Sequence, residues 1–89
     1  MMKIKKGLIA KVRETDPNAR IVTNGENLML FLSTKVISEK FAIESEAELD
    51  ALLKHRIKVE RVKNHFILYL VHDNLDGTDD LSFIIEKFH

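Results

Sequence analysis

Two runs of consecutive apolar residues constrain this chain more than anything else in it. They are Leu28-Met29-Leu30-Phe31-Leu32 and Phe66-Ile67-Leu68-Tyr69-Leu70-Val71. Each is short, and each carries apolar side chains at odd and even positions alike. Successive side chains of a strand point to opposite faces of the sheet, so a strand of this kind needs cover on both sides. Either helices lie on both faces, or a second copy of the chain covers one of them. The second option makes a homodimer.

The surrounding residues supply the turns. Ile21-Val22-Thr23 precedes Asn24-Gly25, and the first apolar run follows. Asn-Gly suits the two positive φ values of a type I′ turn, so residues 20–33 read as a hairpin. Ile57 and Val59 begin a further strand that joins the second run around Lys63-Asn64, a hairpin over about 57–71. Val62 falls out of phase with Val59, which suggests a bulge near Glu60-Arg61. Residues 34–44, TKVISEKFAIE, read as weakly strand-like.

Helices are expected in three places. Ser45-Glu46-Ala47-Glu48 has the capping-box form, and Leu49, Leu52 and Leu53 then share one face, giving a helix over about 46–55. Thr78 can cap a last helix over about 79–88, with Leu81, Ile84, Ile85 and Phe88 on one face. Residues 2–14 fit two periods. Ile4, Leu8 and Val12 suit a helix, whereas Met2, Ile4, Leu8, Ala10 and Val12 also suit alternation. The helix is preferred because Lys, Ala, Arg and Glu are strong formers, although Gly7 costs it about 1 kcal/mol relative to Ala. Asp16-Pro17 ends either element, because the residue before proline avoids the α region. The segment Leu8-Ile9-x-x-Val12-x-x-x-Asp16-Pro17-Asn18-Ala19-x-Ile21 resembles the opening of many small bacterial and phage proteins, which adds weight to the helix and implies no activity.

These elements make an α+β fold: a small antiparallel sheet of two hairpins packed with two or three helices. Eighty-nine residues make one domain, 1–89. The chain has no cysteine, which excludes a disulfide framework, a thiolate zinc site and a cysteine nucleophile. The longest apolar run has six residues, against about 20 for a membrane span, and the basic start lacks an h-region. A cytoplasmic protein without membrane attachment is expected.

Fourteen basic and fourteen acidic residues balance overall but are segregated. Residues 1–20 and 54–65 each carry a net +4, and residues 21–53 and 66–89 each carry a net −4. Much of this complements helix dipoles: Glu46, Glu48 and Asp50 open one helix, and Asp79 and Asp80 open another. The stretch 54–65 is the candidate binding face, through Lys54, Arg56, Lys58, Arg61 and Lys63. With the N-terminal lysines beside it, it offers charge for phosphates. However, no aromatic residue is interleaved there for base stacking, and a solvated strand face is the commoner meaning. Nucleic-acid binding is therefore the alternative rather than the favoured reading.

A search for chemistry finds little. Gly7, Gly25 and Gly77 are isolated, so no phosphate-cradling loop is formed and no cofactor is expected. The loop His72-Asp73-Asn74-Leu75-Asp76-Gly77-Thr78-Asp79-Asp80 resembles a calcium loop. With Gly77 at its sixth position, His72 and Phe83 would stand where carboxylates belong, so it fails that pattern. A turn followed by a helix cap explains most of it, with a small metal-dependent or acid–base enzyme as a third reading. Tyr69 reads as core, and Phe83 falls off the apolar face of the last helix. Near Met29 or Phe31 of another chain, Phe83 would mark an interface. The favoured reading is a small non-enzymatic protein, a regulator or inhibitor of bacterial or phage origin, acting by protein–protein contact as a homo-oligomer.

Overall fold

Leu30 and Leu68 stand opposite one another on the two central strands of a four-stranded antiparallel sheet. A computed structural model describes residues 6–24, 27–70 and 78–88. In chain order the elements are α1 (Lys6–Thr15), β1 (Arg20–Asn24), β2 (Asn27–Ser33), α2 (Thr34–Phe41), α3 (Glu46–Leu52), β3 (Lys58–Val62), β4 (His65–Tyr69) and α4 (Thr78–Lys87). The sheet order is β1-β2-β4-β3, so the two hairpins join through β2 and β4. Those are the strands that carry the two apolar runs.

The register gives each face its residues. Ile21, Leu30, Leu68 and Val59 form one row across the sheet, and the neighbouring row is Arg20, Phe31, Ile67 and Glu60. Because side chains alternate, the first row points to one face and the second to the other. The first face is the core side. Leu28, Leu30, Leu32, Phe66, Leu68 and Leu70 share one buried cluster with Val12 of α1, Ile37 of α2, Leu49 of α3, and Leu81 and Ile84 of α4. All four helices thus contribute to the same side. Burying a leucine of this kind contributes about 1.5–3 kcal/mol, which makes the six leucine and phenylalanine side chains of β2, β4 and Leu70 the main stabilising block.

Helix α2 corrects the strand-like reading of residues 34–44. Ser33, the last residue of β2, is its N-cap and accepts from the Val36 amide at 3.4 Å. The Asn64 carbonyl, in the turn of the other hairpin, accepts from both the Thr34 amide (2.9 Å) and its hydroxyl (3.2 Å). Ile37 then enters the core, and the Phe41 ring stacks on Phe88 at 5.1 Å. The β-branched residues Val36 and Ile37 suggest a strand locally, but the cap and the i, i+4 spacing of Ile37 and Phe41 prevail. The helix closes at Ala42, whose φ of 57° is left-handed and whose N–H reaches the Ser38 carbonyl.

The bulge expected near Glu60-Arg61 is absent. Pairing runs without interruption from Lys58↔Tyr69 to Val62↔His65. Val62 breaks the apolar phase because it points to the uncovered face, where it is 42% exposed. Helix α3 has the expected capping box: Ser45 Oγ accepts from the Glu48 amide, and Glu48 Oε1 accepts from the Ser45 amide. The Glu44 amide also donates to that carboxylate, and with the Ser45 bonds it holds the Glu48 carboxyl below its ordinary value. The helix ends at Leu52, three residues short of the expected 55, because Lys54 and His55 turn left-handed at φ 54° and 60°. Residues 2–5 of the expected first helix lie outside the described residues.

Candidate interaction surface

The second face of the sheet has no helix on it among the described residues. Its central rows are Arg20-Phe31-Ile67-Glu60 and Val22-Met29-Tyr69-Lys58, with Ser33-His65-Val62 below them. Ile67 is only 7% exposed, yet it stands outside the core cluster. Neither Val22, Met29, Phe31 nor Tyr69 packs against that cluster either, and all four are half-buried. Among the described residues, charged side chains lie over two of them, Phe31 and Tyr69.

Those contacts are specific. The Arg20 guanidinium lies 5.3 Å from the Phe31 ring centre, and the Lys58 ammonium lies 5.2 Å from that of Tyr69. His65 meets the Phe31 ring edge-on at 6.0 Å. The Tyr69 hydroxyl donates to Glu60 Oε1 at 2.7 Å. That bond stabilises the neutral phenol, and with a smaller desolvation effect it raises the Tyr69 hydroxyl above its ordinary value of 10.0. The surface is an apolar strip along β2 and β4, with a cation on the β1 side and both charge signs on the β3 side.

The basic residues of 54–65 do not gather on one face. Lys58 joins the uncovered sheet face. Arg61, three residues on, lies on the other, and its Nη1 donates to the Glu44 carbonyl at 2.9 Å. Arg61 there helps line a groove of about 380 Å³ with Thr34, Lys35, Ser38 and Glu44. Arg56 reaches toward α4, where it lies 3.4 Å from the buried Asp80 carboxylate and 4.6 Å from the Phe83 ring centre. Lys54 follows α3, and Lys63 sits in the β3–β4 turn with φ 54°. Lys3 and Lys5 lie outside the described residues.

Met29 and Phe31 belong to the uncovered face, but Phe83 does not join them. It packs partly against the helical core, flanked by Arg56 and Lys87. Of the 72–80 loop, residues 72–77 lie outside the described residues. Among the described residues no group of three or more His, Asp or Glu is placed to hold a metal ion. No described helix is long and apolar enough to cross a membrane.

Sequence reasoning passed over Arg20 and Ile67 as members of a surface and assigned Tyr69 to the core. The signal that finds them is the pairing of the two hairpins, which brings alternate residues of four strands to one face. Comparison of the chain with protein-family models, with curated proteins and with solved structures gives no match.

Proposed function

We propose that this chain is a small non-enzymatic binding protein, a cytoplasmic regulator or inhibitor that works by protein–protein contact through the uncovered face of its sheet. The observation that supports this reading is the asymmetry of cover. Strands β2 and β4 carry apolar side chains on both faces, and the four helices take only one. A strip of half-buried Val22, Met29, Phe31 and Tyr69 around the buried Ile67 remains, rimmed by Arg20, Lys58 and Glu60, and such rimmed patches mark interaction sites.

One observation favours the nucleic-acid reading. Phe31 and Tyr69 stand on adjacent central strands beside Arg20 and Lys58, an arrangement on which bases can stack. Both rings already hold cations, and Glu60 places a negative charge in the same strip. Protein contact is therefore the stronger reading.

A photo-crosslinking residue at position 29, compared with one at Glu39 on the exposed side of α2, separates the two in cells that make the protein. Protein adducts from position 29 alone are expected. Adducts to nucleic acid from position 29, or no adduct there, would overturn the proposal.

A further inference from the structure

We infer that the occupant of the uncovered face is a second copy of this chain, packed face to face about a two-fold axis that runs parallel to the strands between β2 and β4. The inference rests on the reading of this face as a protein-contact surface and adds its partner. Rotation about such an axis carries β1 of one copy over β3 of the other and β2 over β4. The row Arg20-Phe31-Ile67-Glu60 then lies on the same row reversed. Arg20 faces Glu60 of the second copy, Phe31 faces Ile67, and the same contacts repeat on the other side of the axis. In the next row Met29 faces Tyr69. A surface whose row reads cation, apolar, apolar, anion is complementary to itself under this operation, as an isologous interface requires.

The dimensions agree. Strands spaced about 4.8 Å apart put Arg20 and Glu60 about 7 Å to either side of the axis. Stacked sheets cross at about 30°, which offsets facing residues at that distance by about 4 Å, within reach of an arginine and a glutamate. Four strands of about five residues give a face of about 19 by 17 Å. Two such faces project about 650 Å², the size of a weak, transient contact, so the pairing rests on charge complementarity more than on area. An axis across the strands would instead set Lys58 against Glu60 and Arg20 over Val22, whereas the parallel axis sets Lys58 over Val22. The parallel axis is preferred because arginine is less strongly hydrated and binds a carboxylate through two parallel bonds. It also leaves Lys58 at the rim, where lysines are commonly found.

Sedimentation equilibrium of the full chain from about 1 μM to about 1 mM tests this. The variants are Arg20→Glu, Glu60→Arg, and the two combined, each with core methyl resonances checked against wild type. Each single reversal opposes like charges twice per dimer and should raise the dimer dissociation constant about tenfold or more. The combined variant should restore it to within about threefold. Glu60→Gln, which keeps the size and hydrogen-bonding capacity of the side chain, should fall between. A monomeric wild type, or a dimer indifferent to the reversals, would overturn the inference. Rescue by Lys58→Glu with Glu60→Lys, and not by the Arg20 pair, would overturn the axis. A monomer that still gives protein adducts from position 29 overturns only the self-pairing, whereas a monomer with no such adduct overturns the broader reading as well.

Discussion

Replacing Asp16 with alanine removes a carboxylate that joins three parts of the chain. Asp16 follows α1 and is fully buried. Its Oδ1 accepts from the Asn18 amide at 2.9 Å, and its Oδ2 accepts from the Ser33 amide at 2.7 Å. Its backbone N–H reaches Val12, and its carbonyl accepts from Ala19. One side chain thus holds the end of α1, the entry to β1 and the junction of β2 with α2. A hydrogen bond to a charged group contributes about 1.5–3 kcal/mol, and alanine leaves both amide donors without their acceptor. The expected loss for Asp16→Ala is about 3–5 kcal/mol, against a total stability of about 5–13 kcal/mol for a chain of this length. With a urea slope of about 1.5 kcal/mol/M, the midpoint should fall by about 2–3 M at unchanged slope, followed by circular dichroism. Asp16→Asn keeps one acceptor oxygen and should lose about half as much. A loss below about 0.5 kcal/mol for the alanine variant, the range of ordinary surface substitutions, would refute the role assigned to this carboxylate.

Other positions give independent checks. Tyr69 is the sole tyrosine, so an ultraviolet titration of the folded protein reads it alone. Its midpoint should lie above the ordinary 10.0 and move back toward it in Glu60→Gln, because the neutral phenol loses its charged acceptor. The sign for stability follows: with the folded value raised, this contribution is complete below pH 10 and is lost as pH climbs through the folded value. Lys63→Gly should stabilise the fold by about 0.5–1 kcal/mol in urea, since its φ of 54° costs every residue but glycine. Ser33→Ala should cost about 1 kcal/mol and reduce helicity through the loss of the α2 cap.

Local chemistry made much of the architecture readable. The runs Ile21-Val22-Thr23 and Leu28 to Leu32 place the first hairpin, although Asn24 pairs with Asn27 as the end of β1 instead of standing inside the turn, and Gly25 lies outside the described residues. Ser45 with Glu48 places the start of α3. Helix α2 was hidden because its start depends on Ser33 at a strand end and on a carbonyl at Asn64, 30 residues away. Nothing in TKVISEKF reveals that second partner. The binding surface was half visible. Two-faced apolar runs predict a face in need of cover, and Met29 and Phe31 lie on it. Which side the helices take depends on strand pairing, and so do Arg20 and Glu60 at the ends of one row. The basic stretch 54–65 misled because the bulge expected near Glu60-Arg61 would carry Arg61 onto the face of Lys58, and pairing there is uninterrupted. Lys58 and Arg61 are an odd number of residues apart, so in one strand they occupy opposite faces.

The uncovered sheet face as the contact surface is tested most directly by methyl chemical shifts of the full chain over a dilution series. Met29 and Leu30 are adjacent in sequence but point to opposite sides, as do Ile67 and Leu68. The methyls of Val22, Met29 and Ile67 should shift with concentration, while those of Leu30, Leu32 and Leu68 stay fixed. Concentration-dependent shifts confined to helix residues such as Ile37 or Ile84, or no shift at any position up to about 1 mM, would contradict the account.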